Sequence, residues 1–213
     1  MTVTMLADGG AVQALDGASV DGSLYQDVTD FARDTSWLNG VMEVFTDIGF
    51  ALFALIAVIA WWRARSRGPV QVARVVTVPV VMVVAYVINT AVKNGIEQVR
   101  PCYSYPDAFR LASCDPITDY SFPSNHAAIV AAAAAALFYV GWRWGVLGTV
   151  LAVIMAFSRV YVGAHYPHDV AAGLALGALV GLIAAWLVAL AAAPILRWLT
   201  RTPLRPLVAA RKV

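Results

Sequence analysis

Lys93, Arg100, His126, Arg159, His165 and Asp169 are the side chains whose types and spacing could do chemistry in this chain. They fall in three clusters at the flanks of apolar segments, where hydrophobes would be easier to accommodate. In the first, Lys93-Asn-Gly-Ile-Glu-Gln-Val-Arg100-Pro101, the two cations are seven residues apart. They share a face if a helix continues two turns before Pro101 ends it. Taken alone, such residues also fit simple snorkelling of long basic side chains at an interface. The second cluster, Phe122-Pro123-Ser124-Asn125-His126, directly precedes an alanine-rich apolar run. Ser124 and Asn125 are N-cap candidates, and the free N–H groups of a helix start attract anions. A plain capping turn would read the same way. The third runs from Ser158-Arg159 to His165-Tyr-Pro-His168-Asp169. His165 and Asp169 are four apart, close enough for the carboxylate to hold the imidazole in one tautomer. The alternative is a polar hairpin between two helices.

The elements that must position these residues are membrane helices. Of 213 residues, 61% are apolar and only 13% are Asp, Glu, Lys or Arg, against about 45–50% and about 25% in soluble domains. So few charges cannot cover a water-soluble surface, and a bilayer must solvate much of this one. The basic residues are too few, and too closely tied to apolar segments, for a nucleic-acid partner. Five stretches are apolar enough to cross about 30 Å of hydrocarbon: residues 41–62, 75–94, 126–142, 145–161 and 170–196. The third and fourth are short, which predicts tilt or local thinning. Small residues at Ala131–Ala136 and at Gly173, Gly177 and Gly181 suit close helix–helix approach, although an alanine-rich composition alone would also produce them. Asp21–Gly40 mixes apolar residues at helical spacing with four aspartates and is expected to lie on the surface as an interfacial helix. Residues 1–20 carry no firm pattern.

Basic residues set the orientation. With the N-terminus outside and five crossings, Arg63, Arg65, Arg67, Arg74, Arg143, Arg197, Arg201, Arg205, Arg211 and Lys212 all fall inside, as the positive-inside rule requires. The domain reading is an extracytoplasmic segment with an amphipathic helix over 1–40, a transmembrane domain over 41–200 and a basic cytoplasmic tail over 201–213. This threading also carries all three polar clusters to the outer face. Three permanent cations converging on a helix start call for a multiply charged anion, and phosphate is the obvious one. Cys102 and Cys114 share the same outer loop. A disulfide there would be worth about 3 kcal/mol in the chain-entropy picture; two independent thiols are the other possibility, and a metal site is not expected.

The ordered pattern K-x6-R-P, P-S-x-H, S-R-x5-H-x3-D, from Lys93 to Asp169, resembles the three-part signature of the type 2 phosphatidic-acid phosphatase superfamily. That group also includes vanadium haloperoxidases and soluble bacterial acid phosphatases. The layout before the first motif is similar to that of short bacterial undecaprenyl-diphosphate phosphatases. The resemblance implies an all-α polytopic membrane bundle of about five to six helices with its active site at the outer membrane–water interface. It implies hydrolysis of a lipid-linked phosphate in a multi-pass cell-membrane protein, without a cofactor or metal. His165 would be the nucleophile, Asp169 its orienting carboxylate, and His126 the general acid and then base. Lys93, Arg100, Ser124, Asn125 and Arg159 would hold phosphate oxygens. His168, Glu97, Asp115 and Asp119 would stand aside, the first as a neighbour and the others as solvated loop charges. Asn125 departs from the Gly usual in the second motif; Asn tolerates the left-handed region better than most residues, so activity is expected to survive. A polyprenyl diphosphate leads the substrates. Phosphatidylglycerol phosphate, phosphatidic acid, a polyprenyl-phosphosugar phosphate or a phosphotransferase reaction follow, with a catalytically silent lipid-binding protein as the reading outside the enzyme class.

Overall fold

The structure, a computed structural model, describes residues 2–7 and 10–210. Arg211 and Lys212, part of the basic tail, lie outside the described residues, as does the N-terminal residue. Short strands β1 (Thr2–Ala7) and β2 (Gly10–Leu15) pair antiparallel. This pairing corrects the reading that residues 1–20 lack a pattern. The remaining regular elements are helices. Helix α1 (Ala18–Asp34) kinks at Asp21, and α2 (Ser36–Ile48) and α3 (Phe50–Ala64) follow with short breaks. The long α4 (Pro69–Ile96), one-turn α5 (Pro101–Ser104), α6 (Asn125–Val140), α7 (Trp142–Tyr161) and α8 (Pro167–Leu199) make the bundle, and a final turn, α9, covers Arg205–Val208.

Three of these helices, α4, α7 and α8, are each long and apolar enough to cross a membrane. The other two expected spans are built differently. Residues 41–62 are not one straight helix, because α2 and the helical stretch from Phe50 meet at a 56° bend. The bend falls at Gly49, where a Cβ would lie 2.5 Å from the Phe45 carbonyl oxygen and 2.6 Å from the Met155 methyl. The helix starting at Asn125 has 16 residues, a rise of about 24 Å. It is the central helix: Ala127, Ala128 and residues 130–137 are all buried, with α4, α7 and α8 packed around it.

Small residues explain how a central helix can be so closely surrounded. On α8, a Cβ at Gly177 would come 2.1 Å from the Ala128 carbonyl oxygen, and one at Gly181 would come 2.6 Å from Ala132. At Gly173 the nearest atom would be the Ser124 carbonyl oxygen, 2.6 Å away. The glycine stripe of α8 thus lies directly on the backbone of α6, as close approach in an apolar environment favours. The outward faces of α4 and α8 stay apolar: Val83, Val87, Leu179, Ile183, Leu187 and Leu190 are all exposed. Such a surface fits lipid as its solvent.

The two ends of the bundle differ. At one end, Arg65 stacks over Trp62 and Trp61, at 3.8 and 4.8 Å from the ring centroids, and donates to the Pro206 carbonyl. Arg63, Arg67, Arg74, Arg143 and Arg197 belong to the same end, with exposed Trp62, Trp142 and Trp198. The starts of α6 and α8 and the ends of α4 and α7 lie at the other, where the three polar clusters meet.

Candidate active site

A cavity of about 780 Å³ opens at that end, between α2, α4, α6, α7 and the loop joining α5 to α6. Lys93, Arg100, Asn125, His126, Arg159 and His165 all line it. Lys93 stands near the end of α4, whose last residue is Ile96. Glu97 then takes a left-handed conformation, with φ 57°. Arg100 is therefore not on the helical face of Lys93, as a continuing helix would have placed it. The chain reverses at Glu97 and returns Arg100 to the same cavity from the start of α5. Cys102 and Cys114 are bonded, with Cα atoms 5.9 Å apart, and close the loop that carries Asp115 and Asp119 back over the cations.

Those two aspartates, although partly exposed, are paired with the cations and not free loop charges. Asp119 pairs with Lys93 at 2.5 Å and with Arg100 at 2.9 Å, while Asp115 reaches Arg100 at 3.0 Å. Burial works against the Asp119 carboxylate, but the Lys93 hydrogen bond and the Arg100 and Lys93 charges outweigh it and hold its pKa below the usual value. Arg100 also donates to the backbone carbonyls of Asp119 and Ala164. Arg159, on the last turn of α7, is buried and donates to the Thr46 hydroxyl at 3.0 Å. Its Nε has no partner among the described residues.

His165 lies in the α7–α8 turn, almost fully buried. Its Nδ1 is 3.3 Å from an Asp169 carboxylate oxygen and 3.4 Å from the Ser121 hydroxyl. That Asp169 oxygen also accepts from the Tyr166 backbone N–H at 2.9 Å and from Ser121, and the other carboxylate oxygen accepts from Gln98 at 2.9 Å. Burial, then the positive charges of Arg100, Arg159 and Lys93, push the His165 pKa well below its ordinary value. The ring is therefore neutral at pH 7. With the Nδ1 proton donated to Asp169, the Nε2 lone pair is the end left for the cavity.

His168 is tied into the same network from behind. Its Nδ1 and backbone N each lie 2.6 Å from an Asp21 oxygen, and its Nε2 is 3.2 Å from Asp169. The kinked α1 thereby caps the start of α8. At the second cluster, Ser124 is the residue preceding α6 and its backbone N–H donates to the Asp169 carbonyl at 3.0 Å. Its hydroxyl is fully buried without a partner among the described residues, and it does not line the cavity. His126, the second residue of α6, packs its ring 5.0 Å from Phe50. Among the described residues no His, Cys, Asp and Glu side chains cluster so as to hold a metal ion; positive charge in the cavity comes from Lys93, Arg100 and Arg159.

Sequence spacing did not reveal Thr46, Asn89, Gln98 or Ser121. Each reaches the site through tertiary packing, from α2, α4 or a loop. Gln98 falls inside the first cluster, and Ser121 lies three residues before Ser124, but neither position is marked by residue type or spacing as a partner of Asp169.

An apolar helix bundle with a histidine–aspartate pair and three converging cations at one end defines the class of membrane-embedded phosphatases. The sequence matches the PAP2 superfamily over residues 74–193, more than half of its length, and the chain belongs to that superfamily. It is 38% identical over 147 residues to an undecaprenyl-diphosphatase of Sulfolobus acidocaldarius, a match covering 66% of this chain and 66% of that one. It is 37% identical over 137 residues to a decaprenylphosphoryl-5-phosphoribose phosphatase of Mycobacterium tuberculosis, covering 64% and 70%. In fold it is similar to the crystal structure of a transmembrane PAP2-type phosphatidylglycerolphosphate phosphatase from Bacillus subtilis, with a TM-score of 0.59 and 23% identity over 78% of this chain and 85% of that one.

Proposed function

We propose that this chain hydrolyses a lipid-linked phosphate, with a polyprenyl diphosphate as the leading substrate, through a phosphohistidine at His165. The observation that carries this reading is the His165 ring, held at Nδ1 by Asp169 and lining a cavity with three cations. Nε2 attacks the terminal phosphorus and forms an N–P bond as the P–O bond to the leaving group breaks. Asp169 stabilises the positive charge that develops on the ring. His126 protonates the departing oxygen, then takes a proton from the water that attacks phosphorus as the N–P bond breaks, releasing inorganic phosphate and restoring His165. Lys93, Arg100 and Arg159 hold the equatorial oxygens as charge spreads over them.

Phe50, Tyr86 and Ile129 border the same cavity, so an apolar tail has a path from the charged centre towards the bundle surface. The undecaprenyl-diphosphatase relative favours a polyprenyl diphosphate. A polyprenyl-phosphosugar phosphate is the second reading, favoured by the decaprenylphosphoryl-5-phosphoribose phosphatase. In the membrane, the arginine- and tryptophan-rich end faces the cytoplasm by the positive-inside rule and the cavity faces outward. The test is release of inorganic phosphate by the purified protein in detergent, across a panel of lipid phosphates and in excess chelator. Hydrolysis of at least one lipid phosphate, undiminished by chelator and inhibited by vanadate, is expected. An inert protein, or one needing a divalent ion, would contradict the reading.

A further inference from the structure

Asn89 is fully buried on α4, one helical turn before Lys93. Its Nδ2 lies 2.9 Å from the Pro123 carbonyl oxygen and 2.7 Å from Asn125 Oδ1. A carbonyl only accepts, so the end of Asn89 that faces Pro123 has to be the nitrogen, and an amide nitrogen carries two hydrogens. One serves Pro123 and the other serves Asn125. The atom of Asn125 that meets α4 is then its oxygen, which the Thr90 hydroxyl also approaches at 3.5 Å. This chain of donors and acceptors fixes both amide orientations. It also leaves the Asn89 oxygen buried without a partner among the described residues, an arrangement that satisfies Asn125 and Pro123 at the expense of Asn89 itself. Asn125 lines the cavity next to His126, and with its oxygen committed to α4 its free end is the NH₂ group.

We infer that Asn89 is a positioning residue that presents the Asn125 amide as a hydrogen-bond donor to a phosphate oxyanion in the cavity. The inference rests on the reading that this cavity binds phosphate. A neutral donor at this point adds a directional contact to the three cations, at the position where a Gly would offer no side chain. Losing a hydrogen bond to a charged group weakens binding by roughly tenfold or more.

The test uses the full chain in detergent and measures inhibition of lipid-phosphate hydrolysis by inorganic phosphate, with thermal unfolding followed in parallel. Asn125→Gly and Asn89→Leu should each weaken phosphate inhibition by roughly tenfold. The double variant should be no weaker than either single one, because Asn89 acts through Asn125. Unchanged inhibition in Asn125→Gly, or additive losses in the double variant, would overturn the inference. If Asn89→Leu does not fold, Asn125→Leu decides, since it keeps the approximate shape and removes the donor; unchanged inhibition there would also overturn it. A wild-type protein that hydrolyses no lipid phosphate removes the functional reading and this inference together. An active wild type with phosphate inhibition intact in Asn125→Gly removes this inference alone.

Discussion

The Asp119 and Asp115 carboxylates sit on Lys93 and Arg100, where the oxygens of a bound phosphate would have to sit. Under the proposed binding mode, substrate would exchange with them. Asp119 is about half exposed, so its ion pairs count for about 1 kcal/mol or less. Asp119→Asn should accordingly tighten inhibition by inorganic phosphate by about two- to fivefold; weaker inhibition would mean that Asp119 holds the cations in place for the ligand. A second expectation follows from the lowered pKa of His165. The ring keeps its lone pair well below pH 6.5, so protonation of His165 should not reduce kcat/KM as pH falls from 7 to 6. The unfolded chain takes up that proton near the ordinary histidine value. Stability due to the neutral ring is thus fully present above about pH 6.5 and declines as pH drops below it. A thermal midpoint that falls below pH 6.5, and falls less in His165→Ala, checks the sign. His126→Ala should lose about 10²–10⁴-fold activity on a lipid alkoxide leaving group and recover part of it on an aryl phosphate, whereas His165→Ala should recover none. The motif spacing made His165, Asp169 and the cations legible in the sequence. It could not show the carboxylates facing Lys93, because loop charges carry no periodicity, nor Thr46 beneath Arg159, because the two are joined only by packing.

At the scale of elements, the α6–α8 contact aligns the second cluster with the third. Gly173 touches the Ser124 carbonyl, and the Ser124 N–H bonds to the Asp169 carbonyl. Gly177→Leu would force the helices apart, since even a Cβ would come 2.1 Å from the Ala128 oxygen. Overpacking of this kind costs about 1–3 kcal/mol and should lower the thermal midpoint together with activity. Activity lost with the midpoint unchanged, or neither changed, would argue against this contact as the aligning element. The glycine stripe and the alanine run over 131–136 could both be read from sequence, but not that the first packs on the helix carrying the second, because spacing along a helix does not name its partner. The bend at Gly49 was hidden because residues 41–62 read as one apolar stretch despite Glu43 and Asp47, and hydropathy does not report direction. The strand pair Thr2–Ala7 and Gly10–Leu15 was obscured by a composition of small residues. Its last residue, Leu15, pairs with the backbone at Glu97 and Val99, beside the turn that redirects Arg100.

At the scale of the whole molecule, apolar composition and the distribution of arginine indicated a membrane bundle with two unlike ends, and the described helices form one. A cysteine placed at Arg110 should react with an impermeant reagent in intact cells, and one placed at Arg65 should not; labelling at Arg65 would reverse the proposed orientation. The central claim is that the phosphoryl group passes through His165, and chemical trapping tests it most directly. Wild-type protein mixed with substrate radiolabelled at its terminal phosphate, and quenched rapidly in alkali, should carry acid-labile phosphate on His165. His165→Ala should carry none. Label trapped on His126, or retained by His165→Ala, would contradict the account.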